Sequence, residues 1–124
     1  MPIISHIDSA KDLTVFKVTG ELNFEKVSLV VKTFYGGIPT KHVLWNFIET
    51  TDVQLSSEEV ETISNFRNVF EGKSASGKTA FVAKEDVHFG LLRIFEIQSR
   101  FHKVPYTIVV FRSIDEAYKW FDET

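Results

Sequence analysis

The sequence predicts an α/β fold in which a mixed, mostly parallel sheet is covered by helices, with the element order β-β-α-β-α-β-α-β-α. Short apolar segments of strand type alternate with longer segments in which apolar residues recur at the helical period. Two of the predicted helices begin with Ser-x-x-Glu, the capping box that marks a helix start. The 124 residues, 44% hydrophobic and 25% charged, predict one globular domain over residues 1–124.

The first three predicted elements are a strand pair and a helix. Two apolar runs, Ile3–Ile7 and Leu13–Val18, are separated by the polar segment Asp8–Asp12 and predict an antiparallel pair. The helix that follows has Asn23 as its N-cap and ends at the glycine pair 36–37. Its apolar stripe, at positions i, i+3, i+4 and i+7, consists of Val27, Val30, Val31 and Phe34.

The middle of the chain predicts a central strand and a second helix. Apolar residues occupy nearly every position of His42–Ile48, as in a strand that is buried on both faces. Glu49–Gln54 is predicted to be a loop, and Leu55–Gly72 a helix whose capping box joins Ser56 to Glu59. The apolar stripe of this helix contains Val60, Ile63, Phe66 and Phe70.

The last four predicted elements are two strands that alternate with two helices. Thr79–Ala83 and Tyr106–Phe111 predict short buried strands. Asp86 is predicted to cap the helix between them, whose inward residues are Val87, Leu91, Ile94, Phe95 and Phe101. The final helix begins with the capping box of Ser113 and Glu116, and its buried stripe contains Ala117, Trp120 and Phe121.

The composition argues against several classes of function. The net charge of −3 gives no basic surface for nucleic acid, and the absence of cysteine excludes disulfides, thiol nucleophiles and thiolate metal sites. No apolar run reaches the length of a membrane span, so we predict a cytoplasmic protein. The histidines are scattered without metal-ligand spacing, and no Gly-x-Ser-x-Gly motif occurs. We therefore predict a protein that is not an enzyme, with no catalytic residue, cofactor or metal site.

The segment Gly72–Thr79, GKSASGKT, matches the phosphate-binding string Gly-x-x-x-x-Gly-Lys-[Ser/Thr]. A phosphate-binding loop follows a strand and opens a helix, so that free N–H groups point at the phosphates. Here the predicted order is reversed, because a helix ends at Gly72 and a strand begins at Thr79. The helix end beside the string carries the negative end of the dipole, which disfavours an anion. We interpret the string as a turn between a helix and a strand.

Ser56 and Ser57 stand at the predicted start of the second helix, just after the central strand and its loop. Free helix N–H groups and the helix dipole would hold a phosphoserine there, which suits a phosphorylation switch. The alternative is that Ser56 is only an N-cap, since serine is among the commonest capping residues. Glu58 and Glu59 belong to the same candidate partner surface.

The order of elements, with VLWNFIETTDVQLSSEEV at its centre, resembles the STAS domain, the fold of bacterial anti-sigma-factor antagonists. In that family a regulatory serine lies at the start of the helix after the central strand, typically in Asp-Ser-(Ser/Thr)-Gly. Ser56 or Ser57 would correspond to it, with Leu55 in place of the acid and Glu58 in place of the glycine. The resemblance implies a STAS-like fold and regulation through a protein partner.

The second half of the chain looks similar to small stand-alone bacterial proteins of STAS/SEC14-like type, through GKTAFVAKEDVHFGLLRIFE and VVFRSIDEAYKWF. Within it, Phe89, Leu92 and Phe95 widen the apolar face of a helix, while Gly90 weakens that helix by up to about 1 kcal/mol. A close helix–sheet approach, or an apolar ligand or partner on that surface, would explain the glycine. The 12 phenylalanines fit a bulky core, an apolar interface or a pocket.

These observations leave three functions open. The first is a non-enzymatic regulatory or protein-interaction domain of STAS-like type, whose partner is another protein or a second copy of the chain in a homodimer. The second is a binder of an apolar small molecule or lipid. The third and most remote is nucleotide binding through Gly72–Thr79.

Overall fold

The computed structural model of the chain describes residues 3–37, 40–56, 58–59, 61–62, 77–101 and 107–123. Five strands form one sheet in chain order: β1 (Ile3–Asp8), β2 (Leu13–Asn23), β3 (His42–Gln54), β4 (Lys78–Val82) and β5 (Thr107–Phe111). β1 is antiparallel to β2, and all other neighbours are parallel. The helices with bounds in these residues are α1 (Phe24–Gly36), α2 (Asp86–Phe101) and α3 (Ile114–Asp122). The predicted α/β fold with a mixed, mostly parallel sheet is confirmed.

The helix predicted over Leu55–Gly72 is described only at its beginning, where residues 58, 59, 61 and 62 are helical. Ser57 and residues 63–76 lie outside the described residues, so most of this helix and of the phosphate-binding string stays a prediction. Tyr106, the predicted first residue of the last strand, also lies outside them.

The helices cover the two faces of the sheet unequally. α1 and α2 pack on one face, the aromatic face, from which the sheet projects Phe16, Trp45, Phe47 and Phe81. α3 packs on the other, the aliphatic face, whose side chains include Leu13, Leu44, Ala80 and Val82. Right-handed crossovers that add strands in one direction place their helices on one side, which explains why α1 and α2 share a face.

β2 and β3 are longer than the sequence predicts. β2 ends at Asn23 rather than Val18, and β3 continues through Glu49–Gln54. The predicted loop at Glu49–Gln54 is therefore wrong. Within β3 only Val43–Asn46 pairs with β4, so the far ends of β2 and β3 form a two-stranded extension of the sheet.

Backbone pairing and β-branched residues account for this extension. The pairing of β2 with β3 passes two irregularities, beside which Gly20 takes a φ of 73°, a value that favours glycine. Thr50 is 3% exposed, and its Oγ1 donates to the carbonyl of Val18 at 3.3 Å. Because residues 49–52 are polar, this part of the strand has no apolar pattern from which the sequence could predict it, although threonine favours strands.

α2 turns a different face to the sheet from the one predicted. Val87 and Ile94 are 79% and 52% exposed, so their predicted inward positions are wrong. His88 and Glu96 lie inside instead, whereas Phe95 is buried as predicted. Because apolar residues occur on both sides of α2, their spacing alone does not define which side faces the core.

Glu96 anchors α2 against the edge strand β5. Its Oε1 accepts the backbone N–H of Val110 at 3.1 Å, and its Oε2 accepts from Arg93 at 3.0 Å. These bonds compensate the burial of a carboxylate that is only 1% exposed. At the other end, the helix includes Asp86, the residue predicted to cap it from outside, and the Asp86 carboxylate accepts from Arg112 at 2.7 Å.

Candidate functional site

Ser56 lies at the carboxyl end of β3, just before the helix that is described at residues 58, 59, 61 and 62. Its Oγ accepts the N–H of Glu59 at 3.1 Å, and its own N–H donates to Oε1 of Glu59 at 2.9 Å. These reciprocal bonds form the predicted capping box. Ser56 is exposed, so its hydroxyl caps the helix and is also accessible from solvent.

The surroundings of Ser56 are acidic. Glu58 and Glu61 are exposed, and Glu59 is half-buried with its carboxylate against the Ser56 N–H. A phosphate on the Ser56 oxygen would stand beside the Glu59 carboxylate, and like-charge repulsion would open the capping box. At this position a phosphoserine would loosen the helix start, in contrast to the stabilising role that the dipole alone suggests.

A cavity of about 60 Å³ lies between the aromatic face and the helices that cover it. Its aromatic lining residues are Phe16, Phe34, Trp45, Phe47, Phe81 and Phe95. The rings contact one another, with centroid separations of 4.5 Å for Phe16–Trp45 and 5.3 Å for Phe81–Phe95. His88 is the one polar side chain among the described lining residues. The space therefore suits an apolar group.

The cavity reaches the start of the Ser56 helix. Leu22 and Val53, which pair across the extension of β2 and β3, line the cavity together with Leu55. Leu55 is half-buried and directly precedes the exposed Ser56. The candidate partner surface and the apolar cavity therefore adjoin at one residue.

Of the residues predicted to form a surface on α2, Phe89, Leu92 and Phe95 belong to the hydrophobic cluster of the aromatic face, whereas Gly90 lies apart from them. Leu92 and Phe95 line the cavity. Phe89 lies under the guanidinium of Arg112, whose carbon is 4.0 Å from the ring centroid. Gly90 is exposed, and a Cβ at this position would meet no atom of the described residues within 4 Å. A close helix–sheet approach therefore does not explain this glycine.

Lys78 from the phosphate-binding string holds the end of α3. Its Nζ donates to the carbonyls of Trp120 at 2.7 Å and Glu123 at 2.6 Å, and it lies 5.3 Å from the Trp120 ring centroid. A cation at the last carbonyls of a helix is favoured by the dipole. Thr79 is buried in β4, and a Cβ at Gly77 would collide with the carbonyl of Lys41. These three residues have roles in packing and capping.

His42, at the start of β3, accepts the backbone N–H of Lys78 at its Nδ1, at 3.0 Å. Burial of the imidazole, reinforced by the charges of Lys41 and Lys78, lowers the pKa of His42 from its ordinary value of 6.5. The neutral ring is thus the form that completes this hydrogen bond. Its centroid is 5.7 Å from that of Phe121 on α3.

Histidines and carboxylates do not gather in the described segments into a group of three or more that could hold a metal ion. None of the helices in the described part of the chain is both long and apolar enough to span a membrane.

Comparison by sequence gives no assignment, because no protein-family model and none of the curated proteins matches the chain. Solved structures do match it. An uncharacterized protein of the DUF3478 family with a SpoIIAA-like fold, from Shewanella loihica PV-4, is 18% identical with a TM-score of 0.60, over 96% of this chain and 93% of that one.

Two structures of SpoIIAA are also similar. The anti-sigma factor antagonist SpoIIAA in its unphosphorylated form is 13% identical, with a TM-score of 0.55 over 98% of this chain and 99% of that one. SpoIIAA as a Bacillus cell fate determinant, in its phosphorylated form, is 15% identical, with a TM-score of 0.54 over 95% and 97% of the two chains. At these identities the likeness concerns the fold.

Sequence reasoning found the capping box and gave a pocket as one explanation of the phenylalanines, but it did not locate the cavity and did not predict the burial of Glu96 and His88. The abundance of phenylalanine was the available signal for the cavity, and nothing in the spacing of α2 distinguishes a buried Glu96 from an exposed one. The STAS resemblance, carried by the order of elements and the segment around Ser56, agrees with the structural neighbours. The chain has a SpoIIAA-like, that is STAS-like, fold.

Proposed function

We propose that the chain is a non-enzymatic regulatory domain that binds a protein partner through the helix start at Ser56, including Glu58 and Glu59. The observation that carries the proposal is the exposed, reciprocally bonded capping box at the carboxyl end of a central strand. In open parallel sheets this end of the strands is where ligands bind. The SpoIIAA-like fold adds support, since SpoIIAA is an anti-sigma factor antagonist.

Phosphorylation of Ser56 or Ser57 would act as an off switch on this surface. The carboxylate of Glu59 already occupies the N–H of Ser56, so an added phosphate would meet negative charge where the partner docks. SpoIIAA itself has been solved in a phosphorylated form. Partner binding should therefore weaken when negative charge is placed at Ser56.

The test measures binding of the chain to anti-sigma factors from its own organism by calorimetry. Ser56→Glu should weaken binding by more than about tenfold, because charge repulsion opens the capping box. Ser113→Glu is the matched control, since Ser113 caps α3 through the N–H of Glu116 at 3.2 Å and lies on another helix. Equal effects of the two variants, or no binding by any such factor, would sink the proposal.

A second function is favoured by the cavity. A space of about 60 Å³ with aromatic walls suits a small apolar molecule or the end of a longer one. It is smaller than the engineered cavity of about 150 Å³ that binds benzene. A lipid chain would therefore require the walls to move apart.

Native mass spectrometry of gently purified protein, and NMR titration with benzene and xenon, test this second function. Shifts should concentrate on the residues that line the cavity, and Val43→Ile should reduce them by filling the space. Absence of a copurifying ligand together with absence of any probe-dependent shift would exclude it.

Nucleotide binding has the weakest support. The Nζ of Lys78 is bonded to two helix carbonyls instead of pointing into a free loop. We expect that neither the intact chain nor the Lys78→Ala variant binds ATP. The cytoplasmic location likewise stays a prediction.

A further inference from the structure

His88 is a buried polar group on the wall of the apolar cavity. It is 6% exposed, and it lines the cavity together with Leu92 and Phe95, which follow one and two turns later in α2. Among the described residues none forms a hydrogen bond with its imidazole. The Oε2 atom of Glu85 lies 4.0 Å from Nδ1, which is beyond hydrogen-bond distance.

Two other buried polar side chains show the usual arrangement. Glu96 accepts the N–H of Val110 at 3.1 Å, and Thr50 donates to the carbonyl of Val18 at 3.3 Å. Burying a polar group without a hydrogen bond is costly, so native structures leave few such groups unpaired. A molecule in the cavity would provide the hydrogen bond that His88 lacks.

We propose that the cavity binds a small uncharged alcohol, whose hydroxyl group donates a hydrogen bond to Nε2 of His88 while its apolar part contacts the aromatic rings. This proposal rests on the second function above, because it specifies the ligand of the same cavity. Small-molecule sites are typically apolar, with a few polar groups that fix the orientation of the ligand. Among the described lining residues His88 is the side chain that can do so.

Glu85 favours an alcohol over other polar ligands. A carboxylate beside one ring nitrogen of a histidine holds the proton on that nitrogen, here Nδ1. The lone pair of the neutral ring is then on Nε2, which accepts a hydrogen bond from a hydroxyl group. The negative charge of Glu85 also disfavours a carboxylate ligand beside His88.

The volume of the cavity limits the ligand to a few carbon atoms. The space is about 60 Å³, compared with about 150 Å³ for a cavity that holds benzene. Scaled by volume, it accommodates an apolar part of about two or three carbon atoms. Propan-2-ol has this size. Acetone is the matched probe, because it has the same non-hydrogen atoms but can only accept a hydrogen bond.

NMR titration of the wild-type chain with propan-2-ol, acetone and xenon is the first test. Propan-2-ol should shift the resonances of the lining residues, with a dissociation constant about fivefold lower than that of acetone. Xenon tests the cavity independently of His88. If xenon enters but propan-2-ol binds no better than acetone, as when a water molecule satisfies His88, this proposal is overturned while the second function stands. If none of the three probes causes a shift, this proposal fails with the cavity itself.

The ring nitrogens of His88 give a direct readout in the wild-type chain. Long-range ¹H–¹⁵N spectra should show the proton on Nδ1, and the Nε2 resonance should move when propan-2-ol is added. A proton on Nε2, or an Nε2 resonance that propan-2-ol leaves in place, contradicts the proposed hydrogen bond.

Two variants test the residues separately. His88→Leu should abolish the preference for propan-2-ol over acetone while the xenon shifts persist, whereas His6→Leu, at an exposed position on β1, should keep the preference. Glu85→Gln removes the negative charge from a side chain that is 68% exposed, and it should tighten the binding of propionate by about threefold. A preference for propan-2-ol that survives in His88→Leu, or a wild type that prefers propionate, overturns the proposal.

Discussion

The two faces of the sheet differ in how closely their side chains pack. On the aliphatic face Leu13, Leu44, Ala80, Val82 and Ala117 are all 0% exposed. On the aromatic face Phe16, Trp45, Phe47, Phe81 and Phe95 keep between 4% and 9% exposure and surround a cavity of about 60 Å³. On the aliphatic face the sheet contributes small side chains beneath the rings of α3, whereas on the aromatic face large rings of the sheet and the helices surround the cavity. The candidate ligand space and the Ser56 helix start lie together on the loosely packed side.

Deleting the same leucine atoms on the two faces should give the largest contrast. Leu44→Ala should lower the free energy of unfolding by about 3 kcal/mol, because a fully buried side chain leaves a new cavity among close-packed neighbours. Leu92→Ala, at a half-buried lining position, enlarges a space that already exists and should cost about 1 kcal/mol. Urea denaturation measures both, and equal losses would contradict the difference in packing.

Adding one methylene should change sign between the faces. Val82→Ile overpacks the aliphatic face and should cost about 2 kcal/mol. Val43→Ile, on the neighbouring strand but at the cavity wall, should stabilise the fold by about 0.5 kcal/mol. The two variants carry the same chemical change in central strands, so thermal melts compare the faces directly. Destabilisation by both would mean that the cavity wall is as rigid as the aliphatic face.

The contrast also explains which parts of the molecule could be predicted. The alternation of strand-type and helix-type segments depends on local spacing, and it correctly predicted the order of the described elements. The capping box at Ser56 and the N-cap at Ser113 are local too, and at both positions the serine Oγ accepts the N–H of the residue three positions later. The phase of α2 was mispredicted because the bond from Val110 to Glu96 joins residues from different elements.

The ends of β2 and β3 were mispredicted for the same reason. Glu49–Gln54 has no apolar alternation of its own, and only pairing with Thr19–Asn23 makes it a strand. The cavity is the feature that local spacing predicts least, because its volume depends on how large side chains from the sheet and from the helices pack together. Composition indicated an excess of phenylalanine but not where the rings leave space.

The aliphatic face also depends on the contact of Lys78 with the end of α3. Lys78→Met removes two charge-assisted hydrogen bonds to helix carbonyls and should cost about 1 kcal/mol after allowance for solvent screening. Lys119→Met, in the exposed last turn of the same helix, should cost less than half of that. Denaturation of the two variants beside the wild type measures the difference. An equal cost would show that only the charge near the helix end matters.

The smallest expected effect is a pH dependence confined to the aliphatic side. His42 is favoured in its neutral form when folded, since burial, then Lys41 and Lys78, lower its pKa below 6.5. The unfolded chain therefore takes up a proton first, and stability that is fully present above pH 6.5 is lost as the pH falls through the lowered folded pKa.

In His42→Gln the amide oxygen can still accept from the N–H of Lys78 but does not titrate. The free energy of unfolding of the wild type should thus fall relative to His42→Gln between about pH 7 and pH 5, while the carboxylates common to both cancel. Val43→Ile changes only the cavity wall, so it should keep the wild-type pH profile. Parallel profiles for the wild type and His42→Gln would contradict the prediction, because they would show that the imidazole does not contribute to the pH dependence of stability.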